Sequence, residues 1–371
     1  MNPPLQSHGA TDRLVARGRG VDFTREPAHR QAQIRRLLVD GVGVLLAGMG
    51  QPTPRLLAAH VESLGAQPTA AVWGTNVRTS PQEAAFVLGT AIHALDFEPV
   101  FDPPTYVVSP VLGALLALVE PPGAGPPEDA GRRFLSCFAA GIQLQVDLRR
   151  ASVTAEAAAR AGNRSLPVGL QGGHRSGTIG AMGSALSVAL WLGLDRQTTR
   201  VALDIAASRA SCTSGHLGSM THATHCGHAA RIGVESALLA RRGLTATDDF
   251  LRRPGGGGLV PGADSSVLEV LARGSGALDA FEQTGFAFKR WPTHTAIQFV
   301  IEAGLRLRRP GAPPPSHLLL IAPVTGSNPS RTPSSTPNFW TARRPRCPPG
   351  PPKRCSQPCG PSTRRVASPM R

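Results

Sequence analysis

The stretch "SGTIGAMGSALSVALWLGLD" (176–195) decides how the chain is read. Gly, Ala and Ser recur along a run long enough for several helical turns. Small side chains let a neighbouring helix come close, so the stretch predicts the inside of a tightly packed helical bundle. The flanking text continues the pattern. "RQTTRVALDIAASRASC" (196–212) follows directly, and "HCGHAARIGVESALLARRG" (225–243) ends on a glycine suited to a helix C-terminus. Upstream, "FLSCFAAGIQLQVDLRRA" (134–151) and "SPVLGALLALVE" (109–120) read as helices, the second stopped by Pro121-Pro122. Ser80-Pro81 opens another: serine as N-cap, proline at the first helical position, and Glu83 three residues on as in a capping box. In "RQAQIRRLLVDGVGVLLAGMG" (30–50), Ile34, Leu37, Leu38 and Leu45 fall at helix spacing.

The fold class expected is therefore mainly α, with residues 28–275 forming one large helical domain. Residues 1–27 read as a loose leader. Residues 276–325 hold a turn and helix, "FAFKRWPTHTAIQFVIEAGLRL" (286–307), and one strand, "SHLLLIAPV" (316–324). A lone strand leaves its backbone groups unsatisfied, and no partner is foreseen downstream, so this smaller domain reads as incomplete. Residues 326–371 form a basic Pro-rich tail, with ten prolines from Arg331 on and almost no aliphatic residues, a composition expected to be disordered.

Composition narrows the function. Net charge is +15, but nine Lys and Arg with no acid lie between Arg331 and Arg371, leaving +6 on the preceding 330 residues. Only Phe339 and Trp340 there offer bases a stacking surface, so nucleic-acid binding is disfavoured. No apolar run reaches the roughly 18 residues of a membrane span. The N-terminus lacks the apolar centre of a secretory signal, and Asp12, Asp22 and Glu26 fit a mitochondrial presequence poorly. A mitochondrial or cytoplasmic, non-secreted protein is expected. The six cysteines show no CxxC pair and no disulfide framework.

Three places carry candidate chemistry. "GTAIHALDFEPVFDPPTY" (89–106) ends a helix on Asp96, where a carboxylate is electrostatically disfavoured. Asp96 is thus either a pocket acid or an ordinary helix end, and Glu98 and Asp102 read as solvated turn acids. His174 precedes a helix start, where it can cap or face an anion. Lys289 lies between Phe288 and the Trp291 turn. His222, His225 and His228 recur at i, i+3 and i+6, which do not converge on one metal, so no metal is assigned.

Several separated runs, in order, resemble the MmgE/PrpD family: "AVWG" (71–74), "AAFVLGTAIHALDF" (84–97), "GTIGAMGSALSVALWLGLD" (177–195), "GSMTHATHCGHAARIGVESALLARRG" (218–243) and "AFKRWPTH" (287–294). The resemblance covers roughly Gln31 to Val324. The family includes 2-methylcitrate dehydratase and cis-aconitate decarboxylase, and the runs are most similar to the vertebrate-type decarboxylase. The resemblance implies a large helical domain with a smaller α/β lid domain, a homodimer, a small tricarboxylate substrate, and neither metal nor organic cofactor. It also implies site roles: His174 or Lys289 as proton donor, Lys289 as carboxylate clamp, Asp96 as orienting acid and His294 as a secondary contact. Such chemistry needs cations to hold the substrate and a proton donor for the centre left by CO2.

The departures are specific. In "DFEPVFDPPTYVVSPV", Val100 stands where the family has Thr, and Tyr106, the sole tyrosine, stands near a missing His. His222 replaces the family's Lys, and the lid reads as truncated. Tyr106, His222 and His294 are the expected substrate-binding positions. The resulting expectation is a cofactor-independent, lyase-like protein converting cis-aconitate to itaconate and CO2 with reduced or lost activity. The alternative is a non-catalytic relative that binds ligand or a dimer partner, or an unstable truncated product.

Overall fold

The computed structural model describes residues 10–119, 129–161, 174–247, 279–282, 285–307, 317–321 and 339–343. The described chain is dominated by helices: α1 (Ala10–Arg19), α2 (Ala28–Gly48), α3 (Pro52–Ser63), α4 (Pro81–His93), α5 (Val108–Leu116), α6 (Ala130–Ala161), α7 (Arg175–Trp191), α8 (Arg196–Arg209), α9 (Met220–Arg241) and α10 (Thr295–Leu307). The mainly-α expectation holds. Two compact units are distinguished, Met1–Leu305 and Arg306–Arg371.

Small residues set the geometry of the first unit. A Cβ on Gly89 of α4 would lie 2.9 Å from the Gly227 Cα of α9, so the two helices touch backbone to backbone. A Cβ on Gly113 of α5 would lie 2.6 Å from the Gly89 amide nitrogen, which brings α5 onto the same crossing. Around it Leu88, Ala91, Ile92, Leu112, Leu115, Phe138 and Val234 are fully buried. Burying such a side chain contributes roughly 1.5–3 kcal/mol. The close approach therefore adds packing contacts without polar cost, since helical backbone groups are already paired.

Several expectations are corrected. The leader is not loose from Ala10 on: α1 buries Leu14 and Val15, and its Arg17 donates to Asp147 of α6 at 2.8 Å. The helix at Pro52–Ser63, with Pro52 in its first turn, went unread. α4 starts where Ser80-Pro81 placed it, but the serine makes no side-chain cap bond and Glu83 instead pairs with Arg231 at 2.7 Å. In the second unit, β5 (His317–Ile321) does have a partner: it pairs antiparallel with β6 (Phe339–Arg343), inside the segment expected to be disordered. The other tail residues lie outside the described residues, as do those of the expected domain boundary near 275.

Two short ladders matter for position. β1 (Ala70–Ala71) pairs with β2 (Arg78–Thr79) just before α4. β3 (Val100–Phe101), between α4 and α5, pairs antiparallel with β4 (Phe286–Ala287). The Phe101 and Phe286 rings meet at 5.1 Å, and the Asp102 amide donates to the Gly285 carbonyl at 3.0 Å. This ladder pins the segment carrying Lys289 beside the C-terminal end of α4.

Candidate active site

The site lies where α4 ends and α7 and α9 begin. α4 stops at His93, and three residues later Asp96 adopts a left-handed backbone with φ +46. A non-glycine residue there is strained by about 1–3 kcal/mol unless its surroundings impose it. Lys289 imposes it: its Nζ reaches the Asp96 Oδ1 at 2.5 Å and the Asp96 carbonyl at 2.6 Å. Burial would raise the Asp96 carboxyl, but the Lys289 charge and hydrogen bond override it and hold the group below the usual carboxylate range. The Lys289 side chain is 2% exposed.

Tyr106 completes this corner. Its ring lies 4.8 Å from the Lys289 Nζ, a cation–π distance, and its hydroxyl feels the Asp96 carboxylate and Thr295 at the start of α10. Burial, then the Asp96 charge, push the phenol far above its ordinary value, so it acts only as a neutral donor.

His174 is the N-cap of α7. Its Nδ1 accepts the Gly177 amide at 3.2 Å, and its Nε2 lies 3.1 Å from the Nε2 of His222 in the first turn of α9. These contacts fix the tautomers. An Nδ1 that accepts leaves the proton on Nε2, so neutral His174 donates to His222. Burial, then the charge of His93, push His174 down to about 2 and His222 down to about 4. Both are neutral near pH 7. His225, one turn further along α9, lies with its ring 4.9 Å from that of His174 and tilted to it, and is also lowered by burial.

Asp96, Tyr106, His174, His222 and Lys289 thus converge from five separate segments. His294 is different: it is exposed at the start of α10, where its Nδ1 accepts the Ala296 amide at 3.3 Å, and only its charge is felt by His222. His228 is held apart from this cluster, lowered by burial and by the Arg231 charge.

Sequence reading missed His93 and misread Glu98. Glu98 is fully buried rather than a solvated turn acid; Asp102 is exposed as expected. The Glu98 carboxylate accepts from the His93 Nδ1 at 2.5 Å and from the Ser109 amide at 3.0 Å, at the positive N-terminal end of α5. Burial alone would lower His93, but Cys226 and Glu98 reverse the effect and raise it well above its ordinary value. The available signal was the pairing of His93, on the buried face of α4, with an acid five residues on.

His93, His174 and His222 offer nitrogen atoms within 4.8 Å of one another, as do the ligand atoms of His93, Glu98 and Cys226. The first group suits a metal poorly, because the Gly177 amide keeps the His174 proton on the nitrogen that would have to ligate. In the second, His93 and Glu98 are already each other's partners.

Comparison with known proteins bears on the family. Residues 15–264 match the MmgE/PrpD N-terminal domain. The chain is 30% identical over 277 residues to human cis-aconitate decarboxylase, covering 74% of this chain and 54% of that protein. It is 30% identical over 287 residues to the mouse protein, with the same coverage. It is 26% identical over 275 residues to a cis-aconitate decarboxylase-like protein of Aspergillus oryzae, covering 72% of this chain and 53% of that one. The chain spans about half the length of these curated relatives. No described helix is long and apolar enough to cross a membrane. With its helical architecture and its ordered site motifs, the chain belongs to the MmgE/PrpD family.

Proposed function

We propose that this chain is a lyase of the cis-aconitate decarboxylase type, releasing CO2 from a small tricarboxylate with no metal or organic cofactor and at reduced turnover. Its substrate is cis-aconitate and its product itaconate. The observation that carries this reading is the Lys289–Asp96–Tyr106 corner facing the His174–His222 pair. A buried lysine held by a carboxylate is a clamp in waiting: a substrate carboxylate replaces Asp96 as its partner. Tyr106 and His222, whose Nδ1 keeps the ring proton while its Nε2 accepts from His174, supply neutral donors around the remaining carboxylates.

Decarboxylation breaks one C–C bond and leaves an electron pair on the substrate, which must take up one proton. His174, with its proton aimed at His222, is a weak acid here, so the donor role expected of it passes to its neighbours. Reduced turnover follows from His222. A lysine at this position adds a fixed charge, whereas His222 is neutral near pH 7. The homodimer expected from the resemblance and the mitochondrial or cytoplasmic location expected from the N-terminal sequence remain part of this proposal.

The test is proton NMR of the purified chain with cis-aconitate. New vinyl signals of itaconate, rising by about tenfold or more in His222→Lys, are expected. A folded protein that forms no product in either form overturns the reading. That outcome would favour a non-catalytic, ligand-binding relative, for which the closed Lys289–Asp96 pair is the supporting feature.

A further inference from the structure

We propose that Gln143 of α6 and Asp279 are positioning residues for Lys289: they fasten the segment that carries this lysine to the helical core, so that Lys289 keeps its aim when a substrate carboxylate takes the place of Asp96. The inference rests on the decarboxylase reading above, in which Lys289 changes partner. That exchange sets a physical requirement. In the resting site the ion pair itself holds the turn, since the Lys289 Nζ meets both the carboxylate and the carbonyl of Asp96. Once substrate displaces the carboxylate, this hold weakens. A flexible four-carbon stem on a loosened turn no longer presents its charge at a fixed place. The ladder of β3 with β4 comprises only the pairs Val100–Ala287 and Phe101–Phe286, so a further anchor is required.

That anchor lies just upstream, at the single turn Asp279–Phe281. Gln143, Asp147 and Arg150 stand at i, i+4 and i+7 on one face of α6. Gln143 is 2% exposed, and its amide grips the turn with both ends. Its Nε2 donates to Asp279 at 2.7 Å, and its Oε1 accepts the Ala280 amide at 2.9 Å. The second N–H goes to Asp147 at 2.9 Å, which fixes which way the amide points. The Asp279 carboxylate also accepts from Arg150 at 3.1 Å and from Arg17 of α1 at 3.4 Å, and Arg17 is shared with Asp147. Two carboxylates thus face two guanidinium groups. Behind them Ala280 and Phe281 are buried. The turn leads straight to the strand before Lys289: the Phe281 ring lies 5.8 Å from that of Phe286, and a Cβ on Gly285 would lie 2.9 Å from the Ala280 carbonyl oxygen. Among the described residues, neither Gln143 nor Asp279 bonds to Asp96, Tyr106 or Lys289. Both therefore act only through the segment they hold.

A double-mutant cycle on the full chain tests this, with itaconate formation from cis-aconitate followed by proton NMR and folding by circular dichroism. Asp279→Ala is expected to raise KM about tenfold and to lower kcat/KM by at least as much, the scale of a misplaced binding group. Asp279→Asn keeps an oxygen for Gln143 and Arg17 and is expected to stay closer to wild type. In the Lys289→Met background, Asp279→Ala is expected to change kcat/KM by less than about twofold, because no lysine is left to aim. A residue that only stabilised the fold would lower the melting temperature and the amount of active protein, leave KM unchanged, and act equally with or without Lys289. That additive result overturns the proposal. If Asp279→Ala does not fold, Gln143→Met carries the cycle, since it keeps the side-chain length and loses both grips; a folded Gln143→Met with wild-type KM overturns the proposal as well. A folded wild type that forms no itaconate removes the decarboxylase reading and this inference with it, whereas an active wild type with an additive cycle removes the inference alone.

Discussion

The packing of α4 against α9 is built in opposite ways along its length. In the middle, Gly89 faces Gly227 and the helices meet through bare backbone. At the end, the same two helices carry His93, His222 and His225, with Asp96 just beyond α4, and here side chains hold each other through protons and charge. The middle tolerates no extra atom; the end depends on where single protons sit. One part fixes the helix positions, and the other uses them.

The largest effect is expected in the middle. A Cβ on Gly227 collides with the Phe86 carbonyl oxygen and the Thr90 hydroxyl, and neither backbone nor a buried threonine can swing away. Gly227→Ala is expected to cost about 1–3 kcal/mol through overpacking, and Gly227→Val to prevent folding. Thermal unfolding followed by circular dichroism checks both. A Gly227→Ala protein that melts like wild type would show that the two helices slide freely, and the comparison would lose its first half.

At the end, function is expected to change more than stability. Lys289→Met removes the clamp and lets Asp96, which is 26% exposed, return to water. Turnover of cis-aconitate is expected to fall about 10²–10⁴-fold, with the far-ultraviolet spectrum unchanged. The pairing can be checked separately: the Asp96 carboxyl, held low by Lys289, is expected to rise in its NMR titration. An unchanged titration would remove the ion pair from the account.

The two halves also differ in how far the sequence reveals them. Glycine and alanine spacing in 176–195 and 225–243 already points to close helices, because small side chains let helix backbones approach. Asp96, His174 and Lys289 were legible for a related reason: each stands at a helix end or turn where its type needs explaining. His93 and Glu98 were not legible. Reading Glu98 as a solvated acid follows from its Pro-rich turn, and only the three-dimensional return of α5 places the Ser109 amide and His93 around it. The pairing of β5 with β6 was hidden likewise, since β6 lies in a segment whose composition argues against a strand.

A smaller effect concerns acid. His174 and His222 are lowered to about 2 and about 4, so between pH 6.5 and 4 the unfolded chain binds protons that the folded chain refuses. Stability therefore rises with pH in this window and is lost as pH falls through it, by up to about 1.4 kcal/mol per pH unit for a fully shielded group. His222 is part-exposed and contributes less. Asp147, in the middle of α6 and raised by burial to about 6, acts in the opposite direction, so the histidine share is read as a difference. Urea midpoints of wild type and His222→Gln are expected to diverge less at pH 7 than at pH 5, with wild type the more acid-sensitive. Parallel curves would mean that His222 titrates as in water.

The smallest effect separates two helix starts that look alike in sequence. Asp195 caps α8 in fact: its carboxylate accepts the Thr198 amide at 2.8 Å. Ser80 caps α4 in position only; its hydroxyl is buried without a hydrogen-bond partner, and Glu83, which would complete a capping box, is turned toward Arg231. Asp195→Ala is expected to cost about 1 kcal/mol, the usual loss of an N-cap. Ser80→Ala is expected to cost nothing or to stabilise slightly, because it removes a buried hydroxyl that has given up water for no bond. The reason α4 still starts at Ser80 is then Pro81, whose fixed φ suits the first helical position and whose missing N–H needs no cap. Equal losses in the two variants would mean that the Ser80 hydroxyl does cap the helix in solution, and that the start of α4 is held by the same chemistry as the start of α8.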